Sequence, residues 1–238
     1  MRYLWVWLVT LMVLAGAVSA QTRDEGRFDI ILLGVKAGEL HFAGVVENGR
    51  YSTSGRLAST GLLAFVREVS YVASAQGRVS QGRLIPIRYT EAADTGSRVS
   101  ESEMAYVNGT PQVRRYAPAR DPRPEDVDPA SQSGTLDPMT ALYAVLRDVP
   151  RAEACKLNVA MFDGRRASRV QMSPEAQTEA QIDCTGAYIR VAGFSAEDMA
   201  ERRVFPFTLR YAPAEGDLWR VERVEFQTLY GKARLIRR

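Results

Sequence analysis

Beyond its first twenty residues, the chain reads as short apolar–polar alternations broken by turn residues, the period-2 pattern of half-buried strands. The clearest case is Phe205, Phe207, Leu209 and Tyr211, which alternate with Pro206, Thr208 and Arg210 and give that strand one buried and one wet face. The same alternation predicts strands over 27–33, 37–47, 50–57, 68–77, 84–91, 98–107 and 112–117. A second set is predicted over 155–162, 165–172, 181–192, 203–212, 218–228 and 232–237. Residues 21–26 read as a loose lead-in. Asn48-Gly49, Asn108-Gly109 and Asp163-Gly164 offer the positive-φ residues of a type I′ hairpin turn, and Gly82, Gly216 and Gly231 mark further reversals. Trp219 and Val221 share a phase that Val224 and Phe226 do not, which places a β-bulge at Glu222-Arg223. Pro206 predicts an edge position or a bulge.

One segment changes period. Asp137 suits an N-cap and Pro138 the first helical position, where a missing N–H costs nothing. Met139, Leu142, Tyr143, Leu146 and Val149 then draw one apolar stripe, and Pro150 stops the run. A helix over 137–149 is too short to stand alone in water, so it must pack its stripe on a sheet. Two stretches fit neither period. Gly61–Val66, GLLAFV, suits a strand start or a helical turn closing one end of the sheet. Residues 118–134, rich in proline and charge, read as a mobile surface linker handing the first strands to the helix. The expected fold is mainly β: a curved antiparallel meander, a half-barrel or open barrel, with one packed α-helix, in a single domain over 21–238.

Residues 1–20 carry the features of a secretory signal: Arg2, an apolar run over Leu4–Val18, and small residues at Val18-Ser19-Ala20. The apolar run is shorter than the ~20 residues a membrane span usually needs, so cleavage rather than anchoring is expected, with no stable membrane span left. Without Arg2 the formal charge falls from +3 to +2, with basic residues scattered along strands rather than blocked; this argues against a nucleic-acid footprint. An exported chain with two cysteines, Cys155 and Cys184, predicts one disulfide. The strand parity agrees, because each shares a face with apolar neighbours. Closing that loop would stabilise by about 3–4 kcal/mol on the chain-entropy argument.

Candidate chemistry is sparse. His41 is the only histidine, and on a strand it points away from Leu40 and Phe42, toward solvent. No H-x-x-H or H-E-x-x-H provides a metal set, no G-x-S-x-G elbow a nucleophile, and no Gly-rich loop a phosphate cradle. Asp29, Glu39, Asp163, Asp183 and Glu222 occur singly, and Asp163 is explained by its turn. No catalytic, cofactor-binding or metal-ligating residue is therefore assigned. A bent sheet capped by one helix leaves an apolar concavity, for which Tyr143 and Phe207 are the pocket candidates.

The order of FDIILLGVKAGEL, GRLIPIRYT, LDPMTALYAVL, CKLNVAMFDGRR and GAYIRVAGF resembles an uncharacterised family of exported proteobacterial proteins, a domain of unknown function. The resemblance covers about Phe28 to Leu235. It implies a periplasmic, β-rich protein and transfers no catalytic residue. In build, the chain also resembles the periplasmic lipoprotein carriers, which wrap a curved sheet around a helix and hold acyl chains inside. The expected role is non-enzymatic: a periplasmic protein holding an apolar ligand such as a lipid. The alternatives are a cell-envelope interaction protein working through strand edges on a protein partner, and a hydrolase with a site assembled in space around His41.

Overall fold

The computed structural model describes residues 21–61, 64, 68–229 and 231–238. The expected signal segment, and most of the GLLAFV stretch, lie outside the described residues. All thirteen expected strands form, with shifted ends. The first seven are β1 (Thr22–Leu32), β2 (Val35–Glu47), β3 (Arg50–Ser59), β4 (Ser70–Ser80), β5 (Arg83–Asp94), β6 (Val99–Val107) and β7 (Thr110–Ala117). After helix α1 (Pro138–Leu146) comes a two-residue strand, β8 (Val149–Pro150), which the alternation does not announce. Then follow β9 (Leu157–Phe162), β10 (Ala167–Gln177), β11 (Ile182–Ala192), a short helix α2 (Ala196–Glu201), β12 (Val204–Pro213), β13 (Leu218–Thr228) and β14 (Gly231–Arg237).

The strands form one antiparallel sheet in the order β7-β6-β5-β4-β3-β2-β1-β14-β13-β12-β11-β10-β9, not closed into a barrel. Two meanders, β1–β7 and β9–β14, are therefore joined where β1 meets β14, with Phe28 opposite Arg237 and Leu32 opposite Ala233. The sheet edges are β7 and β9. They come back toward each other, because Gly164 in the β9–β10 turn lies against Met104 of β6 and Val113 of β7.

Several expected details are corrected by tertiary pairing. The lead-in is strand, since Thr22–Gly26 pairs with Phe42–Val46. The helix ends at Leu146 rather than Val149. Arg147 turns extended (ψ 154°), which frees Val149 to pair with Trp219 and Asp148 to bind Arg220 at 2.6 Å. The 118–134 linker is no loose strap. Val127 N–H donates to the Arg165 carbonyl (2.9 Å), Arg165 grips Asp126, and Gly134 N–H reaches the Gly109 carbonyl (2.8 Å). Asn48-Gly49 and Asn108-Gly109 take positive φ at both residues, as type I′ requires. Asp163 does not; its carboxylate accepts from Arg165 N–H and Arg166 N–H across a four-residue loop. The bulge stands at Glu222, which the β12–β13 register skips between Arg223 and Val221. Pro206 is on an interior strand, just outside the β12–β13 ladder that begins at Phe207–Phe226.

The disulfide Cys155–Cys184 is present, with Cα atoms 5.4 Å apart and both residues fully buried. It ties the segment after β8 to β11. Met139, Thr140, Ala141, Tyr143 and Leu146 are the buried side of α1. They pack into a core with Phe28, Phe42, Tyr51, Tyr89 and Leu209. The first meander receives the helix at close range: a Cβ on Gly44 would overlap the Tyr143 ring, and one on Gly55 would sit 2.9 Å from the Met139 sulfur.

Two substitutions test this packing. Leu146→Ala, at a side chain 1% exposed, should cost about 2–5 kcal/mol. Gly44→Ala should cost about 1–3 kcal/mol by forcing Tyr143 aside. Denaturant midpoints of both variants check this; unchanged midpoints would mean that α1 does not press on β2.

Candidate functional site

The pocket candidates part company in the structure. Phe207 lines a cavity of about 560 Å³ between α1 and the inner face of the second meander. Tyr143 is not among its lining residues. The Tyr143 ring lies on the other side of the helix, fully buried, stacked with Tyr51 and tilted against Phe42.

The cavity follows from what α1 offers each way. Toward the first meander it turns Met139 and Tyr143; toward the second it turns Pro138, Ala141, Leu142 and Val145, and buried Leu146 closes one end of the space between. These smaller side chains do not reach the far wall, which is built from Met161, Val170, Phe205, Phe207, Phe226 and Leu235. Those wall residues lie on neighbouring strands of β9–β14, on the face shared with the helix, and each is only half-buried. The result is an open apolar groove. Tyr188, Gln227 and Thr228 bring the few polar atoms, all toward the α2 end.

The helix wall is held by two buried carboxylates. Asp24, 3% exposed, accepts from the Tyr143 hydroxyl (2.5 Å) and from Asp148 N–H (3.0 Å). Burial raises its pKa, against the pull of those two hydrogen bonds. Asp137, fully buried, caps the helix by accepting from Thr140 N–H (2.8 Å) and from the Thr140 hydroxyl (2.7 Å). The Thr140 hydroxyl also meets the Tyr51 hydroxyl at 2.8 Å. Burial pushes the Asp137 carboxyl up to about 6, although those bonds pull it down. Asp137 was legible as a cap; Asp24, in the supposed lead-in, was not, because only the fold brings it to Tyr143.

His41 stands elsewhere, on the outer face of β2, with Nε2 3.5 Å from Glu39. Around it Lys36 bridges Asp29 (2.9 Å) and Glu39 (2.7 Å), and Arg238 binds the same two carboxylates. Hydrogen bonds from Lys36 and then Arg238 hold the Glu39 carboxyl at about 2. This is a solvated ion cluster on a convex strand face, joining β1, β2 and the end of the chain. Asp163 serves its turn, Asp183 pairs with Arg210 at 2.8 Å, and Glu222 occupies the bulge. Among the described residues no group of three or more His, Cys, Asp or Glu side chains could hold a metal ion, and no helix is long and apolar enough to cross a membrane.

Residues 27–205 match a family model described as a protein of unknown function, DUF3108. No curated protein matches. Among solved structures, the chain is similar to a β-barrel-like protein of the domain of unknown function DUF1849 from Brucella abortus. The likeness has a TM-score of 0.52 at 11% identity, over 91% of this chain and 95% of that one. It concerns the fold alone.

The raised Asp137 pKa has a checkable sign. A carboxyl at about 6 when folded and at the ordinary aspartate value of about 4 when unfolded adds stability at low pH that is lost as pH rises from about 4 through 6. Asp137→Asn keeps a cap acceptor and removes the titration. The wild type should therefore lose stability relative to the variant across that window, as read from urea midpoints at several pH values. A difference that stays constant with pH would count against a buried, titrating Asp137.

Proposed function

The chain belongs to the DUF3108 family, a family of unknown function, and we propose that it is a non-enzymatic periplasmic protein that holds an apolar ligand, such as a lipid, between α1 and β9–β14. The observation that carries this reading is the groove itself. A concavity of about 560 Å³ with nearly wholly apolar, half-exposed walls has the size and lining of a small-molecule site. Leaving Phe205, Phe207, Phe226 and Leu235 partly wetted sacrifices burial that the fold could have taken by placing larger side chains on α1. Asp24 and Asp137 fix the helix wall, so the groove need not be assembled by the ligand.

The periplasmic assignment draws on the Cys155–Cys184 bond, which suits an oxidising compartment, and on the signal-like pattern of residues 1–20. A role through strand edges has less behind it. Leu136 already bonds the β9 edge, through its N–H to the Ala160 carbonyl and its carbonyl to Phe162 N–H (both 2.9 Å). A hydrolase around His41 would need a cleft on a convex face that holds only ion pairs.

Titration with straight-chain alcohols from octanol to dodecanol tests the reading without involving charge. Affinity should rise with each methylene by up to about 0.8 kcal/mol, roughly fourfold. Phe207→Glu and Leu142→Glu should abolish binding while the thermal melt persists, and His41→Ala should leave it unchanged. Absence of binding across the series, or binding indifferent to both groove substitutions, would refute the proposal.

A further inference from the structure

The groove has two unlike ends. Near α2 its lining passes into a group of guanidinium side chains. Arg202 donates to the carbonyl of Thr228 (3.2 Å) and lies 5.6 Å from the centre of the Phe205 ring. Arg190 lies 5.0 Å from the same ring and 5.2 Å from Phe194, whose other cation is Arg166, also at 5.2 Å. Thr228 and Phe205 are groove-lining residues, and so is Tyr188, whose ring centre is 5.9 Å from that of Phe205. Arg166 and Arg190 are close enough to Tyr188 to oppose the rise in its pKa caused by burial.

The carboxylates of this end have other partners: Asp163 accepts from the backbone N–H groups of Arg165 (2.9 Å) and Arg166 (2.8 Å), and its charge reaches Tyr188 as those of Arg166 and Arg190 do. Asp198 is committed to Ser195 (2.9 Å) and to Arg190 (3.7 Å), while Glu197 and Glu201 are exposed on α2. Among the described residues, Arg166 and Arg202 make no ion pair. At the opposite end the lining is Leu146, Val224 and Leu235, with no charge. A cavity apolar along its length and cationic at one mouth matches a molecule that is itself apolar and anionic at one end.

The geometry points to an anionic amphiphile as the ligand: an acyl or alkyl chain in the groove and a carboxylate or phosphate head at the α2 end, received by Arg202 and Arg166. This rests on the reading of the groove as an apolar site and adds the polarity and the charge of its occupant. Guanidinium groups bind either oxyanion through paired N–H donors, so a carboxylate and a phosphate ester suit the same site. Arg190, held by Asp198 and the carbonyl of Arg202 (3.0 Å), positions the cluster rather than receiving the head.

Four probes separate the outcomes: dodecanoate, dodecyl phosphate, dodecan-1-ol and chainless acetate, each titrated at neutral pH and low salt by calorimetry. Both anionic chains should bind about tenfold or more tighter than the alcohol, the scale of one charge-assisted hydrogen bond. The margin should shrink at high salt, and acetate should not bind. The double variant Arg166→Gln, Arg202→Gln should lose the margin while keeping the affinity for dodecan-1-ol; Arg202→Lys should retain part of it. If the double variant does not melt cooperatively, exposed Arg166→Gln alone serves, with a partial loss expected. Equal affinity for dodecanoate and dodecan-1-ol would overturn the inference and leave the apolar reading standing. Failure of every chain-bearing probe would remove both. A margin that survives the double variant, or acetate binding as well as dodecanoate, would place the anion site elsewhere and overturn the inference.

Discussion

The ladder between β1 and β14 is the constraint from which the rest follows. Five residue pairs, Phe28–Arg237 through Leu32–Ala233, join the two meanders at the middle of the sheet. Side chains reinforce the seam on both faces: Arg237 donates to the carbonyls of Val221 and Glu25, and Arg238 binds Asp29 and Glu39 outside. With both ends of the described chain committed to the centre, the middle must travel from one outer edge, β7, to the other, β9. The shortest route crosses the hollow of the sheet. Residues 118–156 take it, and α1 is the part of that crossing which pays its way in buried area.

Where the crossing lies decides where the space is left. Small residues on the first meander, Gly44 and Gly55, let Tyr143 and Met139 come down onto the backbone. Asp24 then locks the Tyr143 hydroxyl from β1. The helix is thus drawn toward one wall, and the opposite wall, rich in phenylalanine, stands off from it. The groove is the complement of this asymmetry. Its mouth is cationic because β11, the β11–β12 connection and the β9–β10 loop bring Arg190, Arg202 and Arg166 there.

The strands were legible because one-sided burial imprints a period of two, and the Asn-Gly pairs fixed their registers through backbone conformation alone. The slip at Glu222 was legible for the same reason, since an extra residue changes the phase. What the sequence could not reveal depends on partners distant along the chain. Residues 22–26 look like a polar lead-in, yet Asp24 is buried because Tyr143 and Asp148 N–H come to it from more than a hundred residues away. The helix was read as running to Val149 because nothing local says that Trp219 will claim that residue. Tyr143 and Phe207 looked equivalent as pocket candidates, since a stripe of apolar residues does not reveal which of its two flanks will be crowded. The arginines around Phe194 and Phe205 occur at ordinary spacings in sequence and become a group only when β10, β11 and β12 are laid side by side.

The seam also orders events in time. During synthesis β1 emerges first and the strand that must cover it, β14, follows every other strand. Phe28 waits for Arg237, its partner at the far end of the described chain. Until then the side of β1 not paired with β2 is an open template of backbone groups at what will become the interior of the sheet, and non-local pairing of this kind is slow to nucleate. A chain interrupted anywhere before β14 would therefore lose its centre rather than a fringe. A chain that lacked β14 alone would persist as two half-sheets, each with a bare, aggregation-prone edge that a chaperone would have to shield.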